Sequence, residues 1–141
     1  MRYEIVRVAP EAVAEFVRGH ERAARSAFYG FPVIWHEQAY DLAAMDGERV
    51  AGTARIRVAA SLAHVERVVV APEHRKRGVG RALLASASDA ANYYNCHKMT
   101  VIVPLGGAAQ RFFERCDFHQ EAVLPQHTFK LDMAVLRKFL L

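Results

Sequence analysis

Apolar and polar positions along this chain switch repeatedly between a period of two and a period near 3.6. Tyr3 to Val8 alternates and predicts a first strand. Pro10 then opens a stretch with Val13, Phe16 and Val17 on one side, which predicts the first helix. From Ala23 to Trp35 the chain is aromatic and interrupted by Gly30 and Pro32, a helix end followed by a loop. Glu37 to Met45 and Arg49 to Ala59 flank Asp46-Gly47, a hairpin signal. Within the second of these arms Ala54, Ile56 and Val58 alternate with Thr53, Arg55 and Arg57, as in a sheet with one wetter face.

A further strand is predicted over Ala63 to Ala71. A helix follows from Val79 to Tyr94, with Val79, Leu83, Ala87, Ala90 and Tyr94 directed at the sheet. Lys98 to Val103 is rich in β-branched residues and reads as a strand. Gly106-Gly107 breaks the chain before a short helix, Ala108 to Arg115. Two more strands are expected around Gln120 to Val123 and His127 to Asp132, and a final helical turn or two over Met133 to Leu141. No repeat, linker or low-complexity tract interrupts this order, so one domain spanning 1–141 is expected.

Composition narrows the class. With 141 residues, 52% of them apolar, the chain can fill a single core. No run of 18 apolar residues occurs, and the start MRYEIVRVAPE carries charges where a secretory leader needs an apolar stretch, so a cytoplasmic protein without membrane partners is expected. Cys96 and Cys116 have no metal-ligand spacing; they are expected to be reduced and buried, and no metal is expected.

Chemistry concentrates in Val65 to Leu84, VERVVVAPEHRKRGVGRALL, a strand, a basic glycine-containing loop and an amphipathic helix in succession. A helix N-terminus presents N–H groups without intrahelical partners and a partial positive charge, which suits phosphate. Gly78 and Gly80 allow close approach to the main chain, and Arg75, Lys76, Arg77 and Arg81 attract an acidic ligand. A dinucleotide fingerprint would need glycine at Leu83 and a tighter turn after the strand. A Walker A loop would need Gly-Lys-Ser/Thr where this loop has Gly80-Arg81. The net charge of +4, from 19 Lys and Arg against 15 Asp and Glu, admits a solvated basic face or a nucleic-acid surface. The glycines favour a phosphate held by main chain over either, so nucleic acid remains only a remote alternative.

Arg75 to Gly80 reads R-x-x-G-x-G, and Ala109 to Phe118 reads AQRFFERCDF about thirty residues downstream of Gly80. Together these blocks resemble the pyrophosphate loop and the A-x-x-F-Y-E-K-L-G-F segment of the GCN5-related N-acetyltransferase (GNAT) superfamily. The resemblance runs from Glu48 to about Leu131; the residues before it fit by pattern alone. It implies an α/β (α+β) fold, a mixed and mostly antiparallel sheet with helices on both faces, whose fourth and fifth predicted strands splay to admit acetyl-CoA as cosubstrate. Main chain of Val68, Val69 and Val70 would then pair with pantetheine, and the amides from Lys76 through Gly78 and Val79 to Arg81 would hold the pyrophosphate.

The implied activity is direct transfer of an acetyl group from a thioester to a primary amine of a small molecule or peptide. An amine of pKa about 10.4 has only about one molecule in a few thousand neutral at pH 7, a deficit of roughly 4.6 kcal/mol, so a base or water relay matters. Strict alternation puts His64, Glu66, Val68 and Val70 on one face, making His64 and Glu66 the candidate catalytic pair. Family members carry a catalytic glutamate or histidines at such positions; the alternative is that His64 is solvated and Glu66 pairs with Arg55, Arg57 or Arg67. The family's tyrosine, which protonates the leaving thiolate, corresponds to Phe113, and its frequent asparagine is replaced within Leu105-Gly106-Gly107-Ala108. Cys116 reads as a small apolar filler, and Asp117 stands at a glycine position where a left-handed backbone would be tolerated. These losses leave a slow or non-catalytic acyl-CoA sensor as the alternative function. By resemblance the acceptor side comprises Phe28, Tyr29, Phe31 and Trp35, with Pro125, Gln126 and His127 opposite. No acidic run that would draw a basic peptide is present, which favours a small amine, an amino acid or an aminoglycoside-like acceptor over a histone-like one. Family members are often dimers, and the apolar end Val135, Leu136, Phe139, Leu140 and Leu141 suits an interface, so a homodimer is one expected assembly.

Overall fold

The computed structural model describes residues 2–140, which fall into two compact units dividing between His36 and Glu37. The first unit contains a single turn at Pro10–Ala12 and helix α1 (Ala14–Tyr29). Gly30 ends α1 in the left-handed conformation (φ +80°), its N–H donating to the Ser26 carbonyl, as a helix C-cap requires. The Ser26 hydroxyl accepts from the Val33 N–H (2.8 Å), and among the described residues of this unit Val33 is the buried one. Tyr3 to Val8, expected as a strand, forms none. Alternation makes a strand only beside a neighbour, and all six strands of the sheet come from the second unit.

That unit begins with a hairpin, β1 (Gln38–Asp46) and β2 (Arg49–Ala59), closed by Gly47-Glu48 with Gly47 at φ +61°. A second tight turn, Ala60-Ser61, joins β2 to β3 (Leu62–Val70) with both residues left-handed. Helix α2 (Val79–Tyr93), β4 (Lys98–Pro104), α3 (Ala108–Arg115), β5 (His119–Leu124) and β6 (Met133–Phe139) complete it. The sheet order is β1-β2-β3-β4-β6-β5, antiparallel except at β3/β4. One face holds the core, where Ile56, Val65, Met99, Val101 and Leu136 meet Leu84, Ala87 and Ala91 of α2 and Phe113 of α3. Both helices of this unit therefore cover the same face.

Two expectations at the C-terminal end fail. His127 to Asp132 is no strand; it is a loop with a single turn at Thr128–Lys130, where Phe129 and Lys130 have positive φ. Met133 onward is no helix but β6, inserted between β4 and β5. Its Ala134 and Leu136 face the core while Val135, Arg137 and Phe139 face away, so the period is two; Leu141 lies outside the described residues.

The expectation that His64, Glu66, Val68 and Val70 share a face also fails. Opposite the neighbouring pair Arg55 and Ile56 stand Arg67 and Val65, which leaves Glu66 as an extra residue in β3. This bulge resets the alternation. Ala63 and Val65 point into the core before it, and Val68 packs against the core after it, so His64 and Glu66 lie on the opposite face from Val68.

Candidate active site

The parallel ladder between β3 and β4 has three rungs, Leu62 with Lys98, Ala63 with Met99 and His64 with Thr100. Beyond His64 the two strands part, although β3 runs on to Val70 and β4 to Pro104. A cleft of about 1030 Å³ lies on the helix side of this fork. Its wall is Val68 to Val70, whose main-chain groups on that edge have lost the strand that would bond them.

The loop after β3 folds back through a single turn, Pro72–His74, and reaches α2 through two left-handed residues, Lys76 (φ +61°) and Gly78 (φ +80°). Gly78 caps α2 without any side-chain bond to the first turn. The N–H groups of Val79, Gly80 and Arg81 are therefore free to meet an anion in the cleft that these residues line. Gly80 has a packing reason as well as a binding one. A Cβ there would lie 3.0 Å from Cζ of Phe112, so a larger residue would have to displace the Phe112 ring of α3 by a few tenths of an ångström.

His74, Arg75, Lys76, Arg81 and Arg115 supply the polar rim, and no carboxylate lines the cleft. Two of these cations also brace the loop. Arg75 Nε donates to the Val70 carbonyl (3.1 Å), and the Arg81 guanidinium donates to the Arg115 carbonyl at the end of α3. Arg77, expected among the phosphate-binding residues, is exposed and outside the residues lining the cleft. The far wall is α3, through Ala108, Ala109, Phe112 and Phe113. Phe113 is buried and packs edge-on against Phe118 (5.2 Å), so it offers no proton. Cys116, expected to be buried, is half-exposed on the same wall, while Cys96 is buried and its burial pushes the thiol up. Asp117 does take the left-handed conformation (φ +68°) that its position was expected to need.

On the other side of the sheet, at the vertex of the fork, His64 Nδ1 lies 3.0 Å from the Thr100 hydroxyl. Desolvation holds His64 below the ordinary histidine value; Arg57 pushes the same way and Glu66 opposes. Its ring is therefore neutral at pH 7. Glu66 accepts from Arg55 Nε (3.1 Å) and Arg57 Nη1 (2.8 Å), the pairing weighed in the sequence as its alternative role. Arg55 and Arg57 also reach Asp41 (2.6 Å) and Glu37 (3.1 Å), making one lattice of ion pairs.

Phe28, Tyr29, Phe31 and Trp35 belong to the first unit, while the cleft is built wholly from the second. Phe28, Tyr29 and Phe31 are exposed and pack on one another, with centroids 5.1 and 6.2 Å apart, and Arg25 lies 4.3 Å over the Trp35 ring. Gln126 and His127 flank the loop before β6, where the Gln126 N–H donates to Asp132 and the His127 N–H to the Leu131 carbonyl. Sequence reasoning missed the cleft roles of His74, Ala108, Ala109 and Arg115. Of these only Ala109 and Arg115 lie within the second motif block.

A search of curated proteins returned no match. Solved structures share the fold at low identity. An acetyltransferase from Bacillus cereus superimposes with TM-score 0.76 at 14% identity, over 97% of this chain and 98% of that one. The ribosomal-protein-S18-alanine N-acetyltransferase of Escherichia coli gives 0.64 at 14%, over 94% and 90%. The spermidine/spermine N-acetyltransferase SpeG of Vibrio cholerae, in mutant form, gives 0.63 at 21%, over 72% and 66%. A family model described as the acetyltransferase (GNAT) family matches residues 5–118, the span that contains the fork, the loop, α2 and α3. With most of its length inside that match and the same fold in its structural neighbours, the chain belongs to the GNAT acetyltransferase family.

Proposed function

We propose that this chain transfers an acetyl group from acetyl-CoA directly to a primary amine of a small molecule or peptide. The observation that carries this reading is the fork, where an unpaired β3 edge opens onto an uncapped helix N-terminus with a cationic rim. The residues fit the cosubstrate. Amides of Val79 to Arg81, with Lys76 and Arg75 nearby, suit a diphosphate, and the β3 edge at Val68 to Val70, where Arg75 holds the Val70 carbonyl, suits an amide-containing arm. When bound, acetyl-CoA supplies a thioester-activated acyl group.

His64 is the base. It is neutral at pH 7, stands where the two strands part, and keeps its orientation through Thr100. Glu66, already engaged by two guanidinium groups, fixes the charge around His64 instead of taking the proton. With Phe113 at the position of the family's acid, the departing thiolate, of pKa about 8.5, takes its proton from solvent. Acetyltransferases named for spermidine and for a protein's alanine among the structural neighbours support an amine as acceptor.

Thiol release in the presence of an amine panel tests the reading. His64→Ala should lower kcat by about 10² to 10⁴ and leave acetyl-CoA binding intact; unchanged turnover would remove His64 as the base. Phe113 favours a second reading, an acyl-CoA sensor, which predicts acetyl-CoA binding with no amine-dependent thiol release from any member of the panel.

A further inference from the structure

The vertex of the fork sits in a row that crosses the sheet. Arg57 pairs with His64, His64 with Thr100, Thr100 with Arg137, and Arg137 with His119, so these five side chains occupy one face side by side on β2, β3, β4, β6 and β5. Adjacent strands are about 4.8 Å apart, which puts Arg137 about 10 Å of sheet from His64, with only Thr100 between.

The charges on this face are unequally committed. Every carboxylate among the described residues there has a cation within 3.1 Å: Glu37 has Arg57, Asp41 has Arg55, Glu66 has both, and Glu121 has Lys98. A cationic acceptor such as a polyamine would find no carboxylate to itself. Arg137 is the converse case. Its nearest carboxylate oxygen, on Glu121, is 3.9 Å away and already bonded to Lys98 at 2.6 Å, and its guanidinium otherwise rests 4.6 Å over the Phe139 ring.

We propose that the acceptor is an amine that also carries a carboxylate, as an amino acid does, with Arg137 binding the carboxylate while the amine lies at His64. The planar guanidinium presents two parallel donors to a carboxylate, and Glu121, held by Lys98 at 2.6 Å, meets it only through Nε at 3.9 Å. Thr100, between the two groups, leaves room for the ligand because its side chain is short. This inference rests on the acetyltransferase reading and on His64 as base, and adds Arg137 as the residue that sets acceptor class.

The test measures CoA release with free amino acids, their methyl esters and a polyamine, for the unmodified chain and for Arg137→Gln, Arg137→Lys and His64→Ala. The unmodified chain should prefer an acid over its ester by about 10- to 100-fold in kcat/KM, through KM. Arg137→Gln should erase that preference with kcat nearly unchanged and the acetyl-CoA thermal shift retained, and Arg137→Lys should restore part of it. Equal use of acid and ester, preference for the polyamine, or no turnover of any carboxylate-bearing amine overturns the proposal. Failure of the base assignment looks different: His64→Ala would keep its kcat while the Arg137 effect on KM persisted.

Discussion

At the scale of single residues the site depends on how few carboxylates are left to act. Sequence alone offers His64 and Glu66 together as the catalytic pair, with pairing to Arg55, Arg57 or Arg67 as the alternative for Glu66. The structure realises that alternative through Arg55 and Arg57, while the bulge that swings Val68 to the other face has no signature in VERVVV. His64 was legible as chemistry but not as geometry, since its rung with Thr100 joins strands 36 positions apart. The pH dependence follows from the cause of its shift. Burial and Arg57 hold His64 below 6.5 in the folded chain, so kcat/KM should be level through pH 7 and fall only below about 6.5, the ordinary histidine value. Arg57→Gln removes a depressing charge and leaves Glu66 with Arg55 alone, which raises the His64 value, and the acid limb should move to higher pH. The linked effect on stability has the same origin. Because the unfolded chain binds this proton first, stability is lost as pH falls through about 6.5, and His64→Gln should flatten that part of a Tm against pH curve. Cys116→Ala should leave kcat within about twofold, since its thiol is packing on the cleft wall and not an acid.

At the scale of elements, glycine positions report which segments must touch. Gly80 was read as a phosphate-binding residue, but its missing Cβ also makes room for Phe112. In a Phe112→Ala background Gly80→Ala should gain about 1 kcal/mol of stability from helix propensity, and in the unmodified chain it should gain less or lose; equal effects in urea unfolding would contradict the contact. Gly52 gave no signal in the sequence. A Cβ there would lie 3.0 Å from the Val69 carbonyl oxygen and 3.1 Å from Val79, and a backbone oxygen cannot step aside. Gly52→Ala should therefore cost about 1–3 kcal/mol by the same measurement. The Asp46-Gly47 hairpin was plain because its turn carries its own glycine, whereas Ala60-Ser61 adopts two left-handed residues without one. That second turn is held by the β2/β3 pairing on either side of it, a tertiary override of local preference.

At the scale of the molecule, the two sequence blocks worked because each lies within one local unit. R-x-x-G-x-G is a strand end, loop and helix start, and AQRFFERCDF is one helix with its exit turn; α2 and α3 appear within a residue of where the pattern placed them. The ends of the chain were less legible. Tyr3 to Val8 has strand alternation without strand structure, and Met133 to Phe139 is a strand whose place between β4 and β5 no local pattern could announce. Among the described residues no helix is long and apolar enough to cross a membrane. What unites the molecule's chemistry is the cleft, and its central claim is that acetyl-CoA binds there. Thermal unfolding with and without acetyl-CoA addresses that claim directly, alongside Ala109→Trp, a substitution at an exposed helical position that fills the cleft. At about 100 times its dissociation constant the ligand should add roughly 2.7 kcal/mol, a rise of several degrees in Tm that the tryptophan variant loses while keeping its own unliganded Tm. No shift at millimolar acetyl-CoA, or a shift that survives Ala109→Trp undiminished, would contradict it.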